Sequence, residues 1–121
     1  MRKWIVAGFV LALLAPASAQ AGPNTPPAGP VNCGRLGIEG EVTGSTWRVY
    51  GYFTHCGRAR KLWEGCAQNG RLPKGWTVGP IPGSQYDLAY RLRLRGKLQQ
   101  VRVGHLAGGG ARGLHRCLKR Y

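Results

Sequence analysis

The sequence predicts a mainly β domain: two antiparallel hairpins in a small sandwich or barrel-like body, with a short C-terminal helix and two disulfides. Three observations predict it. From Leu88 to Arg95 large apolar residues alternate with small or basic ones, the period-two pattern of a strand with one buried face. Two short glycine-containing turns, Gly44-Ser45 and Gly96-Lys97, each separate runs that pair self-consistently when folded back on themselves. Four cysteines in a chain of 121 residues form an even set suited to staple a core of modest size.

The first element is a secretory signal over residues 1–19. Arg2 and Lys3 form a basic start, Trp4 to Leu14 an apolar run, and Ala17-Ser18-Ala19 the small-x-small pattern of a cleavage site. The run is shorter than the roughly 20 apolar residues a bilayer span needs, and no later stretch reaches that length. Residues 20–32, rich in Gly and Pro, read as a flexible leader with nothing to bury. Residues 33–121 then form a single disulfide-stapled basic domain. A secreted or periplasmic location follows, and an oxidising compartment agrees with the cysteines.

In the first hairpin, a two-residue turn at Gly44-Ser45 sets Val42 opposite Trp47, Ile38 opposite Gly51 and Leu36 opposite Phe53 on one face. The other face pairs Glu41 with Arg48, Glu39 with Tyr50 and Gly37 with Tyr52. Extended to its open end, this register places Cys33 opposite Cys56 and predicts that disulfide, leaving Cys66 to Cys117. A zinc site is disfavoured, because no C-x-x-C is present. Residues 57–64 suggest a helical turn or two, Trp76 to Val78 a short strand, and Gly79 to Ser84 a loop.

The second hairpin, turned at Gly96-Lys97, pairs Leu92 with Val101, Tyr90 with Val103 and Leu88 with His105 on its apolar face. Its other face pairs Arg91 with Arg102 and Arg93 with Gln100, with Arg95 opposite Leu98. In the tail, Leu114, Cys117, Leu118 and Tyr121 recur at i, i+3, i+4 and i+7, one face of a short helix.

Charge points to function. Without Arg2 and Lys3 there remain 16 basic residues, 12 of them Arg, against four acidic ones, a net charge of +12. Such a field concentrates anions at the surface, and Arg forks onto phosphate better than Lys. The expected function is an exported binding protein for an anionic ligand: nucleic acid, an anionic glycan or a lipid headgroup at a membrane surface. Arg91, Arg93, Arg95 and Arg102 are the anion-binding candidates, since Arg91 facing Arg102 is a like-charge pair that a bridging anion relieves. Tyr50, Tyr52 and Arg48 are secondary candidates for stacking on bases, against the simpler reading that the rings pack beneath another element. A docking protein for an acidic partner is one alternative, steered by the same field. Another is a metal-free ribonuclease-like toxin using His115, His55, Glu64 and Lys61 as acid, base and phosphate-binding groups. The balance leans away from an enzyme: no phosphate-binding loop, nucleophile elbow or abundant carboxylate pair occurs, and no cofactor or metal is expected.

Overall fold

A computed structural model describes residues 25–40 and 42–121. The signal segment, the start of the leader and Glu41 lie outside those residues, and with Glu41 its expected pairing to Arg48. The described chain runs β1 (Val31–Ile38), β2 (Ser45–Tyr52), α1 (Cys56–Asn69), β3 (Trp76–Pro80), β4 (Ala89–Leu94), β5 (Gln100–Gly108) and α2 (Leu114–Arg120). The fold is mainly β with a short C-terminal helix and two disulfides, in agreement with the sequence. Its five strands form one antiparallel sheet in the order β1-β2-β5-β4-β3, with helix as the second layer in place of a second sheet.

Strand alternation explains which face α1 covers. Leu36, Ile38, Trp47, Val49, Leu92, Val101 and Val103 point inward and are buried. Against them α1 sets Ala59, Leu62, Trp63, Cys66 and Ala67, spaced i, i+3, i+4, i+7 and i+8 along one helical stripe. Trp63 is the centre of this contact, edge-on to Trp47 at 4.9 Å between ring centroids and stacked on Tyr90 at 5.8 Å. The helix ends at Gly70, whose φ of 72° lets its N–H reach the Cys66 carbonyl while Arg71 N–H reaches Gly65. It is 14 residues long, well beyond the turn or two expected from residues 57–64.

The second hairpin matches its expected register: Tyr90 pairs with Val103, Arg91 with Arg102, Leu92 with Val101 and Arg93 with Gln100. Its turn tightens one residue early, with Lys97 N–H donating to the Leu94 carbonyl at 3.0 Å, so Arg95 lies in the turn and not opposite Leu98. The first hairpin departs from expectation. Leu36 pairs with Trp47 and Ile38 with Ser45, and Val42 is 95% exposed in a connecting loop. From Arg35 to Ile38 the slip from the expected pairing is an even number of residues, so Leu36 and Ile38 still face inward; the bulge between Asn32 and Arg35 shifts the start of β1 by one more. The reason is tertiary. The loop lies against the β5–α2 connection, with Gly109 N–H donating to the Gly44 carbonyl and Arg112 N–H to the Glu39 carbonyl, which the expected register would have turned to Tyr50. Ser45 is instead a buried strand residue whose Oγ accepts from Trp47 Nε1 at 2.7 Å.

Both disulfides are the expected ones, with Cα–Cα separations of 5.2 Å for Cys33–Cys56 and 5.3 Å for Cys66–Cys117. The first, however, does not close an open hairpin end. Cys56 is the first residue of α1, not the continuation of β2, and Cys33 reaches it from a bulge in β1 between Asn32 and Arg35. Arg60 reinforces that junction, donating to the carbonyls of Cys33 and Arg35 at 3.0 and 2.8 Å. In α2, Cys117 is buried against the core and Leu114 and Leu118 pack beside it. The Tyr121 hydroxyl donates to the Leu72 carbonyl at 3.1 Å, completing the predicted helix face.

Candidate functional site

The sheet face opposite α1 is assembled by register. One row across neighbouring strands reads Asn32, Tyr50, Arg102, Arg91 and Gly79; the next reads Tyr52, Gln100, Arg93 and Thr77. A third row brings Arg35, Arg48, Gly104 and Ala89 together. Five arginines therefore share this face, and no acidic residue stands in these rows. Four strands, β1, β2, β4 and β5, contribute them, so the face extends well beyond the second hairpin.

Of the four anion-binding candidates, Arg91, Arg93 and Arg102 lie on this face, and Arg95 is in the adjoining turn with its N–H held by the Gly75 carbonyl at 2.8 Å. The Arg102 guanidinium sits over the Tyr52 ring, 4.9 Å from its centroid, and its Nε donates to Gln100 at 2.7 Å. Arg91 directly opposes it, and Arg91 Nε is buried with no acceptor among the described residues. Two guanidinium groups on adjacent strands, one with a desolvated and unanswered N–H, are a local cost that an anion would offset.

Tyr50 and Tyr52 share the face with Arg48, as their alternation requires. They are not covered by the C-terminal helix. Instead the segment after β3 folds back over the sheet and lays the Tyr86 ring directly on the backbone of Gly104, where any Cβ would collide with it. The Tyr50 and Tyr86 hydroxyls share a hydrogen bond of 2.9 Å, and that bond, with burial, raises the Tyr50 phenol above its ordinary range. Between these rings lies a cleft of about 430 Å³, bordered also by Tyr52, Arg102, Pro30 and Pro82. Tyr86 carries no sequence signal, since it falls in a Gly- and Pro-rich stretch; Gly104 within an otherwise regular strand is the available clue.

The covering segment is anchored at its far end. Asp87 lies 3.3 Å from His105 Nδ1, and His105 Nε2 lies 3.1 Å from the Gly108 carbonyl. Both partners accept, so each bond requires the corresponding ring N–H. Desolvation pushes the Asp87 carboxyl upward, but the Leu88 N–H and the His105 ring outweigh it and hold the group below its ordinary range. His105 also meets the Trp47 ring edge-on at 5.0 Å, at the apolar strand end where the sequence places it.

The residues considered for ribonuclease chemistry are spread over the helical side. His55 is exposed at the N-cap of α1, which starts at Cys56. Lys61 and Glu64 are exposed on α1, and Lys61 borders a hollow with Arg58, Arg71 and Pro73. His115 is exposed on α2 and borders a different hollow with Val42, Thr43 and Arg112. Among the described residues no cluster of three His, Cys, Asp or Glu has metal-binding geometry.

Gly104 is the residue on which the cleft depends. Gly104→Ala is expected to drive Tyr86 off the sheet and to cost about 1–3 kcal/mol through overpacking, measured by urea unfolding. The Tyr50 phenol should then titrate closer to its ordinary range. Unchanged stability with unchanged tyrosine titration would show that Tyr86 does not occupy this position. The chain matches no protein-family model, no curated protein and no solved structure.

Proposed function

We propose that this is an exported protein that binds a polyanion across the sheet face opposite α1. The observation that carries the reading is the convergence of five arginines on adjacent strands with no acid in their rows. The unanswered Arg91 Nε beside Arg102 supports it independently of overall charge. Export is supported by the signal-like N-terminus together with two disulfides. The same chemistry admits nucleic acid, sulfated or carboxylated glycan and anionic lipid headgroups, which all present acceptor-only oxygens.

Changing Arg91, Arg93 and Arg102 together to Gln tests the site. With single-stranded nucleic acid as probe, losing three phosphate contacts should flatten the slope of log affinity against log salt by about 2 units. The control removes Lys61, Lys119 and Arg120, three exposed helix cations away from the sheet face, for the same change in net charge. Arg58 and Arg60 do not suit a control, because Arg58 lies over the Trp76 ring and Arg60 bonds the β1 bulge. Equal flattening in both triple variants would mean that the general field governs binding and that no face is special.

A further inference from the structure

We infer that the polyanion is a single-stranded nucleic acid, with bases held in the Tyr50–Tyr52–Tyr86 cleft and phosphates on Arg91 and Arg102; this deepens the proposed function and rests on it. The shape of the face is the first ground. A site for anionic charge alone needs only cations, yet here the register places two tyrosines among the arginines, and a folded-back segment adds a third. Tyr86 lies with one ring face against Gly104, so its opposite face is turned away from the sheet, bordering the cleft. The Arg102 guanidinium lies over the Tyr52 ring, so a base entering there meets a cation beside an aromatic surface. Flat aromatic and guanidinium surfaces beside phosphate-binding cations are what unpaired bases require.

Hydrogen-bonding capacity separates this ligand from a glycan recognised through its hydroxyls, and competition with heparin separates it from a heavily sulfated one. Sugar hydroxyls are donors as well as acceptors and call for carboxylates or amides in the site. In these rows the arginines offer only donors, and the amide oxygens of Gln100 and Asn32 already accept, from Arg102 Nε and the Gly34 N–H. Phosphate oxygens accept only, and match. Strandedness follows from access. In a duplex the base faces are buried in the stack, whereas a cleft on the open surface of a sheet reaches only bases that are splayed out.

The experiment compares three probes by fluorescence anisotropy with the oxidised protein: a labelled oligothymidylate, an abasic oligodeoxyribose phosphate of equal length, and heparin as competitor. The oligothymidylate should bind tighter than its abasic counterpart by about tenfold for each base stacked. Tyr52→Leu and Tyr86→Leu should each weaken oligothymidylate binding by about tenfold while leaving the abasic probe within about twofold. Equal affinity of the unmodified protein for the two backbones would overturn base recognition and leave the polyanion reading standing, a result that needs no variant to fold. Heparin binding far tighter than oligothymidylate would likewise reassign the ligand to a glycan. Failure of every probe to bind at low salt would overturn the proposed function itself.

Discussion

Replacing Cys66 and Cys117 together with Ala is expected to lower the unfolding free energy by about 4 kcal/mol in urea titrations. The bridge closes a span of 51 residues, more than twice the 23 spanned by Cys33–Cys56, and longer loops constrain the unfolded chain more. Both sulfurs lie in the core, so the native state loses packing as well. The helix that Cys117 anchors has seven residues, too few to persist without tertiary support. Hydrogen exchange should therefore show α2 opening before the sheet. The corresponding pair Cys33→Ala and Cys56→Ala is expected to cost about 3 kcal/mol, and a reversed order of the two losses would count against loop closure as the main term.

Trp63→Ala should be comparably severe, at about 3–5 kcal/mol. Trp63 is fully buried where α1 meets the sheet, wedged between Trp47 and Tyr90. Its truncation leaves a cavity that two other large rings border and cannot fill without moving. Trp63→Phe should cost far less. Trp63 Nε1 has no acceptor among the described residues, so the smaller ring removes a buried polar group that makes no hydrogen bond while keeping most of the contact. A Phe variant as damaged as the Ala variant would imply that the indole N–H has a partner after all.

The contrast between the hairpins shows how far a local pattern reaches. Around Gly96 the alternation is unbroken and the turn is short, so only one register buries Tyr90, Leu92, Val101 and Val103 together. Around Gly44 at least two registers of equal parity bury the same residues, and local pattern has no means of choosing between them. The choice is made by Gly109 and Arg112, far along the chain, whose N–H groups occupy the carbonyls of Gly44 and Glu39. Helix α1 is legible in principle: Ala59, Leu62, Trp63, Cys66 and Ala67 keep helical spacing to the glycine cap at Gly70. Gly57 and Gly65 mask that period, because each lowers local helix propensity where tertiary burial restores it.

Local pattern and composition alone were enough for the fold class, the second hairpin and the face of the terminal helix; the Cys33–Cys56 pairing holds although the hairpin register that suggested it does not. They also marked which residues turn away from the core, since strand parity survives a register slip of an even number of residues. What those outward residues meet is a matter of long-range packing. Arg48 and Arg35 come beside the second hairpin because β2 pairs with β5, a contact that no local periodicity encodes. Tyr86 joins Tyr50 because a connecting segment folds back onto a glycine in the middle of the sheet. A candidate site of this kind is a property of strand order and loop path, which depend on the free energy of the whole packed chain and not on any one segment of it.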